Sequence, residues 1–92
     1  MMREIILDGA KIADDAALHA RLAELLELPD HYGANLDALW DALTGYIALP
    51  LTLRWLDYEA TCQQLGSEAC ERVLQVLREA EEELPDLQVI VT

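Results

Sequence analysis

The chain has 92 residues, enough for a single domain (residues 1–92) with one hydrophobic core, and 53% of the residues are hydrophobic. Its 18 acidic and 6 basic side chains give a formal net charge of −12, which argues against direct binding to nucleic acid or anionic membranes and favours a basic protein partner. Acidic character that serves solubility alone is the alternative.

The first predicted element is a strand. Residues 3–8 (REIILD) form a short apolar run before Gly9, which is typical of a buried strand. The N-terminal segment has no long apolar stretch of the kind found in secretion signals. No later segment approaches the roughly 18 apolar residues of a membrane span, so we expect a cytoplasmic protein.

A first helix is predicted next. Asp14 or Asp15 is suited to cap its N-terminus, and Pro29 cannot continue it. Between these points leucines recur at helical spacing and predict a helix of about 13 residues: Leu18, Leu22, Leu25 and Leu26. Residues 30–34 (DHYGA) then form a loop in which Gly33 is the flexible point.

The segment NLDALWDALTG, residues 35–45, predicts a second helix that Asn35 caps and Gly45 ends. Helical periodicity places three leucines on the face toward the core: Leu36, Leu39 and Leu43. The neighbouring flank carries two carboxylates and a hydroxyl: Asp37, Asp41 and Thr44. Like charges one turn apart destabilise a helix by about a few tenths of a kcal/mol. This acidic pair, with Trp40 beside it, therefore indicates a surface that meets a partner. The structural alternative is that the helix dipole stabilises Asp37 in the first turn and that Trp40 belongs to the core.

The second half of the chain repeats the pattern of strand and helices. Residues 50–55 (PLTLRW) alternate apolar and polar side chains, which favours a strand, and a short helix is predicted over residues 57–65. Ser67 can cap a further helix, which Pro85 ends and whose apolar stripe is Cys70, Val73, Leu74, Leu77 and Ala80. Residues 87–92 (LQVIVT) form a closing strand.

The order of elements predicts an α/β fold. Strands separated by helical crossovers are usually parallel and right-handed. We therefore expect a small three-stranded parallel sheet packed with about four helices.

An enzyme and a carrier protein are two other classes of function to compare with this sequence. For an enzyme, His31, Asp37 and Asp41 are conceivable metal ligands, and His19 or Cys62 conceivable catalytic groups. The sequence lacks a phosphate loop, a paired Cys motif and a serine nucleophile signature, so we expect no catalysis, no metal and no cofactor. His19 is interpreted as a packed structural residue, and both cysteines as reduced. A phosphopantetheine carrier is disfavoured because GSEACE, around Ser67, is not the usual signature.

Three segments carry a resemblance to a known family. LPDHYGANLDALWDALTG (residues 28–45), Pro50 with Leu51, and VLQVLREA (residues 73–80) resemble the barstar family of intracellular inhibitors of secreted bacterial ribonucleases. The resemblance covers nearly the whole chain. It implies the same parallel-sheet fold, and a protein that is monomeric when free and forms a 1:1 complex with a basic, barnase-type ribonuclease.

The resemblance also implies which residues bind the partner. They are His31, Asn35, Asp37, Trp40, Asp41, Thr44, Gly45, Tyr46 and Glu79. Asp41 matches the central carboxylate that occupies the phosphate-binding site of the enzyme. Asp37 and Glu79 match flanking acidic contacts to Arg and Lys.

The chain departs from the family pattern at two of these positions. His31 stands where a tyrosine is common, and Tyr46 where a tryptophan is common. His31 would make binding sensitive to pH near neutrality. The departures leave room for an alternative, an immunity protein on the same scaffold that is directed at another basic toxin or nuclease. The resemblance further implies a cis peptide bond between Leu49 and Pro50.

Overall fold

A computed structural model describes residues 3–92, so the first two residues of the predicted domain lie outside the described part. In chain order the elements are β1 (Arg3–Asp8), a 3-10 turn (Gly9–Lys11), α1 (Asp15–Leu25), α2 (Leu36–Gly45), β2 (Leu51–Leu56), α3 (Tyr58–Leu65), α4 (Ser67–Glu83) and β3 (Leu87–Val91).

The strands form one parallel sheet in the order β1-β2-β3. Leu51 of β2 is in register with Arg3 of β1 and with Leu87 of β3. Parallel neighbours need long crossover connections, and each crossover here contains two helices. The predicted α/β fold, a three-stranded parallel sheet with four helices, is confirmed.

The carboxyl end of the sheet is fixed by a buried chain of hydrogen bonds. Trp55, fully buried on β2, donates its indole N–H to Oγ1 of Thr61 at 3.1 Å. The Thr61 hydroxyl donates in turn to the carbonyl oxygen of Gly9 at 3.0 Å. Because buried polar groups destabilise a fold unless they are paired, this chain ties β1, β2 and α3 together.

The helices leave one side of α2 exposed. α1 packs against β1, α4 packs against β3, and α2 packs against α4. Leu39 and Leu43 of α2 are buried in the core as predicted, and Leu36 is half-buried against it. The opposite flank of α2 therefore faces solvent.

The structure identifies the N-cap residues of α1 and α4. Asp14 is the N-cap of α1, because its Oδ1 accepts a hydrogen bond from the Ala17 N–H at 2.7 Å. The prediction that Ser67 caps α4 is wrong. Gly66 holds the cap position at φ 90°, a left-handed conformation that favours glycine, so Ser67 is already the first helical residue.

Three further local features were observed. The peptide bond between Leu49 and Pro50 is cis, as the resemblance implied. Cys62 and Cys70 are free thiols, and Cys70 lies in the core. No helix within residues 3–92 is both long enough and apolar enough to cross a lipid bilayer.

Candidate functional site

Asn35 joins the loop at residues 29–34 (loop 29–34) to the start of α2. Its backbone is extended, with φ −139° and ψ 174°, and its Oδ1 accepts a hydrogen bond from the Ala38 N–H at 2.7 Å. Its Nδ2 donates to the carbonyl oxygen of Gly33 at 3.3 Å. One side chain thus caps the helix and holds the loop that leads into it.

The exposed flank of α2 presents two unpaired carboxylates. Asp37 and Asp41 are both exposed, and they lie one turn apart on the same helix. Across residues 3–92, no Lys, Arg or His forms an ion pair with either of them. Asp37 lies in the first turn, where the helix dipole stabilises an anion, but Asp41 lies beyond it. Among the described residues, no cationic side chain forms an ion pair with Asp41.

Trp40 and Thr44 connect this flank to the core. Trp40 is half-buried and packs against the core cluster. The Thr44 hydroxyl donates to the Trp40 carbonyl oxygen at 2.8 Å, so it is engaged by its own helix.

A groove of about 330 Å³, the binding groove, separates loop 29–34 from α2. Four of the predicted binding residues line it: His31, Asp41, Gly45 and Tyr46. Tyr46 is 56% exposed, and its backbone N–H donates to the Ala42 carbonyl at 3.0 Å, which fixes its place at the end of α2. The groove therefore has aromatic rings from two segments and a carboxylate within one concave surface.

The remaining predicted residues do not line the groove. Asn35 caps α2, while Asp37, Trp40 and Thr44 follow on that helix. Glu79 lies on α4, the helix that packs against α2, where it is exposed and accepts a hydrogen bond from Gln75 Nε2 at 3.2 Å.

Tyr32 is a half-buried residue that also lines the groove, and it was not predicted from the sequence. Its hydroxyl lies 2.7 Å from Nδ1 of His19, a ring that is 1% exposed on α1. Burial raises the pKa of Tyr32 to about 12, and the nearby Asp15 carboxylate adds to that effect. Burial lowers the pKa of His19, an effect that Asp15 partly offsets. An aromatic residue inside a polar loop was the available signal, but its partner lies 13 positions away in the sequence.

The other groove residues that were not predicted are small or rigid: Pro29, Gly33, Ala38 and Ala42. Their size leaves the concave space open. Helical periodicity alone gave no reason to single out Ala38 and Ala42.

The backbone is strained shortly before loop 29–34 and at the last residue of that loop. Glu27 and Ala34 adopt left-handed conformations with φ 55° and φ 51°. A non-glycine residue in this region is destabilised by about 1–2 kcal/mol. Such strain persists only where the surrounding structure holds it, and it is common at functional surfaces.

The side chains of residues 3–92 contain no group of three His, Cys, Asp or Glu residues placed to hold a metal ion.

The site thus consists of an exposed acidic helix, the loop that precedes it and a groove with aromatic side chains, on a small parallel-sheet scaffold. The family model described as Barstar (barnase inhibitor) matches residues 2–91, and the chain belongs to that family. A protein of Bacillus subtilis (strain 168), named "Putative ribonuclease inhibitor YrdF", is 51% identical over 85 residues, covering 92% of this chain and 92% of the relative.

Proposed function

We propose that this protein is a non-catalytic inhibitor of a basic, barnase-type ribonuclease, which it binds 1:1 through loop 29–34 and α2. The observation that carries the proposal is the pair of exposed carboxylates on α2, Asp37 and Asp41, which have no ion-pair partner within residues 3–92. Membership of the barstar family and the name of the Bacillus subtilis relative support it. The proposal includes a monomeric, cytoplasmic protein in the free state.

The mechanism is occupation of the active site. A ribonuclease concentrates Arg, Lys and His in its cleft to bind phosphates. Successive carboxylates on a rigid helix present similar charge to that cleft. Asp41 takes the central phosphate position, and Asp37 and Glu79 pair with flanking basic residues. Because the helix is formed before binding, little ordering of the chain opposes association.

The groove gives the contact its shape. His31 and Tyr46 line it together with Asp41. A flat or cationic side chain of the enzyme can enter between aromatic surfaces while its polar atoms meet the carboxylate. Trp40, Thr44 and Gly45 complete the surface around this contact, and Asn35 keeps loop and helix in register.

The test is titration of RNA cleavage by a barnase-type ribonuclease with the wild-type protein and with Asp41→Ala. We expect stoichiometric inhibition by the wild type and affinity lower by at least about 30-fold in the variant, because removing one partner of a buried charge pair destabilises a complex by about 2 kcal/mol or more. The matched control is Glu59→Ala, which removes one exposed negative charge from α3. It should change affinity by less than about threefold.

A second candidate is an immunity protein directed at a different basic toxin or nuclease. It is favoured by one observation: both departures from the family pattern, His31 and Tyr46, line the groove itself. If the wild type does not inhibit at micromolar excess, the barnase-type target is wrong. The partner should then be isolated by pull-down in which Asp41→Ala fails to retain it.

A further inference from the structure

The hydrogen bond between His19 Nδ1 and the Tyr32 hydroxyl, the loop tether, connects the binding groove to the interior of the protein. The two atoms are 2.7 Å apart, and the ring centroids are 5.9 Å apart at an interplanar angle of 46°. His19 lies on α1 and is 1% exposed, so a partner docked on α2 cannot touch it. Tyr32 is the next residue after His31 and lines the groove beside it.

Loop 29–34 makes few other hydrogen bonds. The Tyr32 N–H donates to the Pro29 carbonyl at 3.0 Å, and Asn35 Nδ2 donates to the Gly33 carbonyl. Both bonds are local. Within residues 3–92, the loop tether is the only hydrogen bond that joins loop 29–34 to α1, α4 or the sheet.

The loop tether lies between two strained backbone positions in the sequence. Glu27, two residues before the loop, and Ala34, its last residue, have positive φ angles that residues with side chains rarely adopt. A loop free to relax would leave these conformations, and His31 would move with it. A fixed point between the two strained residues opposes that relaxation.

The surroundings of His19 allow this role. Asp15 of α1 places Oδ2 3.7 Å from His19 Nε2, and Arg72 of α4 lines the same small cavity of about 230 Å³. Arg72 is itself paired with Glu68. With Nε2 carrying the proton toward Asp15, Nδ1 accepts the hydrogen bond that the Tyr32 hydroxyl donates.

We propose that His19 is a positioning residue for the inhibitory surface: through the Tyr32 hydroxyl it fixes loop 29–34 and so holds His31 at the edge of the binding groove. The inference rests on the proposed function for its binding consequence. Its structural part concerns the free protein alone.

The first experiment measures backbone motion in the free protein by ¹⁵N relaxation, with Tyr32→Phe as the variant. This change removes one hydroxyl and keeps the ring. We expect amide order parameters at His31, Gly33 and Ala34 to fall from about 0.85 toward 0.6, while those of α1 and α2 are unchanged. Tyr58→Phe, which removes a hydroxyl from a half-buried ring on α3, should leave the loop rigid.

Variants of His19 complete this experiment. His19→Leu should loosen the loop as Tyr32→Phe does, while His19→Asn, which retains a hydrogen-bond acceptor, should restore part of the rigidity. Unchanged order parameters in Tyr32→Phe would overturn the inference, whether or not the His19 variants fold.

The second experiment is a double-mutant cycle on binding to a barnase-type ribonuclease. Loss of one hydrogen bond predicts affinity lower by about three- to tenfold in Tyr32→Phe. If the tether positions His31, then His31→Ala should lower affinity less in the Tyr32→Phe background than in the wild type. Additive losses would overturn the link to His31. A wild type that binds no such enzyme contradicts the proposed function alone, and the relaxation data still decide the tether.

Discussion

Gly9, directly after β1, occupies a position where no side chain fits. A Cβ atom there would lie 2.3 Å from Thr61 Oγ1 and 2.4 Å from the Leu56 carbonyl oxygen. We expect Gly9→Ala to lower the free energy of unfolding by at least about 2 kcal/mol, because it displaces backbone and the buried hydrogen bond to Thr61. Urea unfolding measures this. Gly45→Ala is the control, since a Cβ at Gly45 meets nothing within 4 Å, and it should not destabilise the protein.

His19 gives the fold a dependence on pH. Its pKa is lower in the folded protein than the ordinary value of 6.5, because burial disfavours the charged ring. The unfolded chain therefore binds the proton more readily. Stability from this group is complete above about pH 6.5 and is lost as the pH falls below that value. Asp15 favours protonation and partly offsets the effect of burial. Arg72 lines the neighbouring cavity and is paired with Glu68.

The measurement is the free energy of unfolding at intervals from pH 8 to pH 5, in the wild type and in His19→Asn. We expect a decline below pH 6.5 in the wild type that is weaker in the variant. Equal slopes in the two proteins would show that other groups control the pH dependence.

The roles of some single residues could be predicted from the sequence, and those of others could not. Asn35 was identified as a cap because its side chain acts on a backbone N–H three residues away, a local interaction. The choice between Asp14 and Asp15 stayed open, because either carboxylate could reach the same turn. Tyr32 was missed because its partner, His19, approaches only after the chain folds. Interactions between residues close in sequence can therefore be predicted, whereas contacts that form only in the folded chain cannot.

At the scale of elements, the junction between loop 29–34 and α2 depends on Asn35. Asn35→Ala removes both the cap bond to the Ala38 N–H and the bond to the Gly33 carbonyl. We expect Asn35→Ala to lower the free energy of unfolding by about 1 kcal/mol and to weaken binding to the ribonuclease. Asn35→Asp keeps the acceptor and loses the donor, so it should retain stability while binding still weakens. If both variants bind as the wild type does, the junction plays no part in recognition.

Element types were predicted well, and element ends less well. The helix and strand order followed from leucine spacing, alternation and the prolines, and each of these signals is local. The start of α4 was misplaced by one residue because the left-handed conformation of Gly66 is set by the turn between α3 and α4. The sequence also did not predict how the exposed edge of strand β3 is covered. Glu81 accepts from the Val89 N–H, and Arg78 donates to the Val89 carbonyl, so side chains of α4 occupy that edge.

At the scale of the whole molecule, the net charge of −12 bears on how fast a partner is met. Opposite charge accelerates encounter with a basic enzyme, whereas short-range contacts set the lifetime of the complex. We expect the association rate constant to fall by at least about tenfold as ionic strength rises from about 0.01 M to about 1 M, which shortens the Debye length from about 30 Å to about 3 Å.

Asp41→Asn separates this long-range effect from the local one. It removes a single charge, so most of the field and most of the salt dependence of association remain. Its dissociation should be faster by at least about 30-fold, because the carboxylate no longer pairs with the cationic site of the enzyme. Stopped-flow association and dissociation rates measure both quantities. An association rate that does not respond to salt would mean that the acidic surface serves solubility rather than recognition, the alternative that composition alone left open.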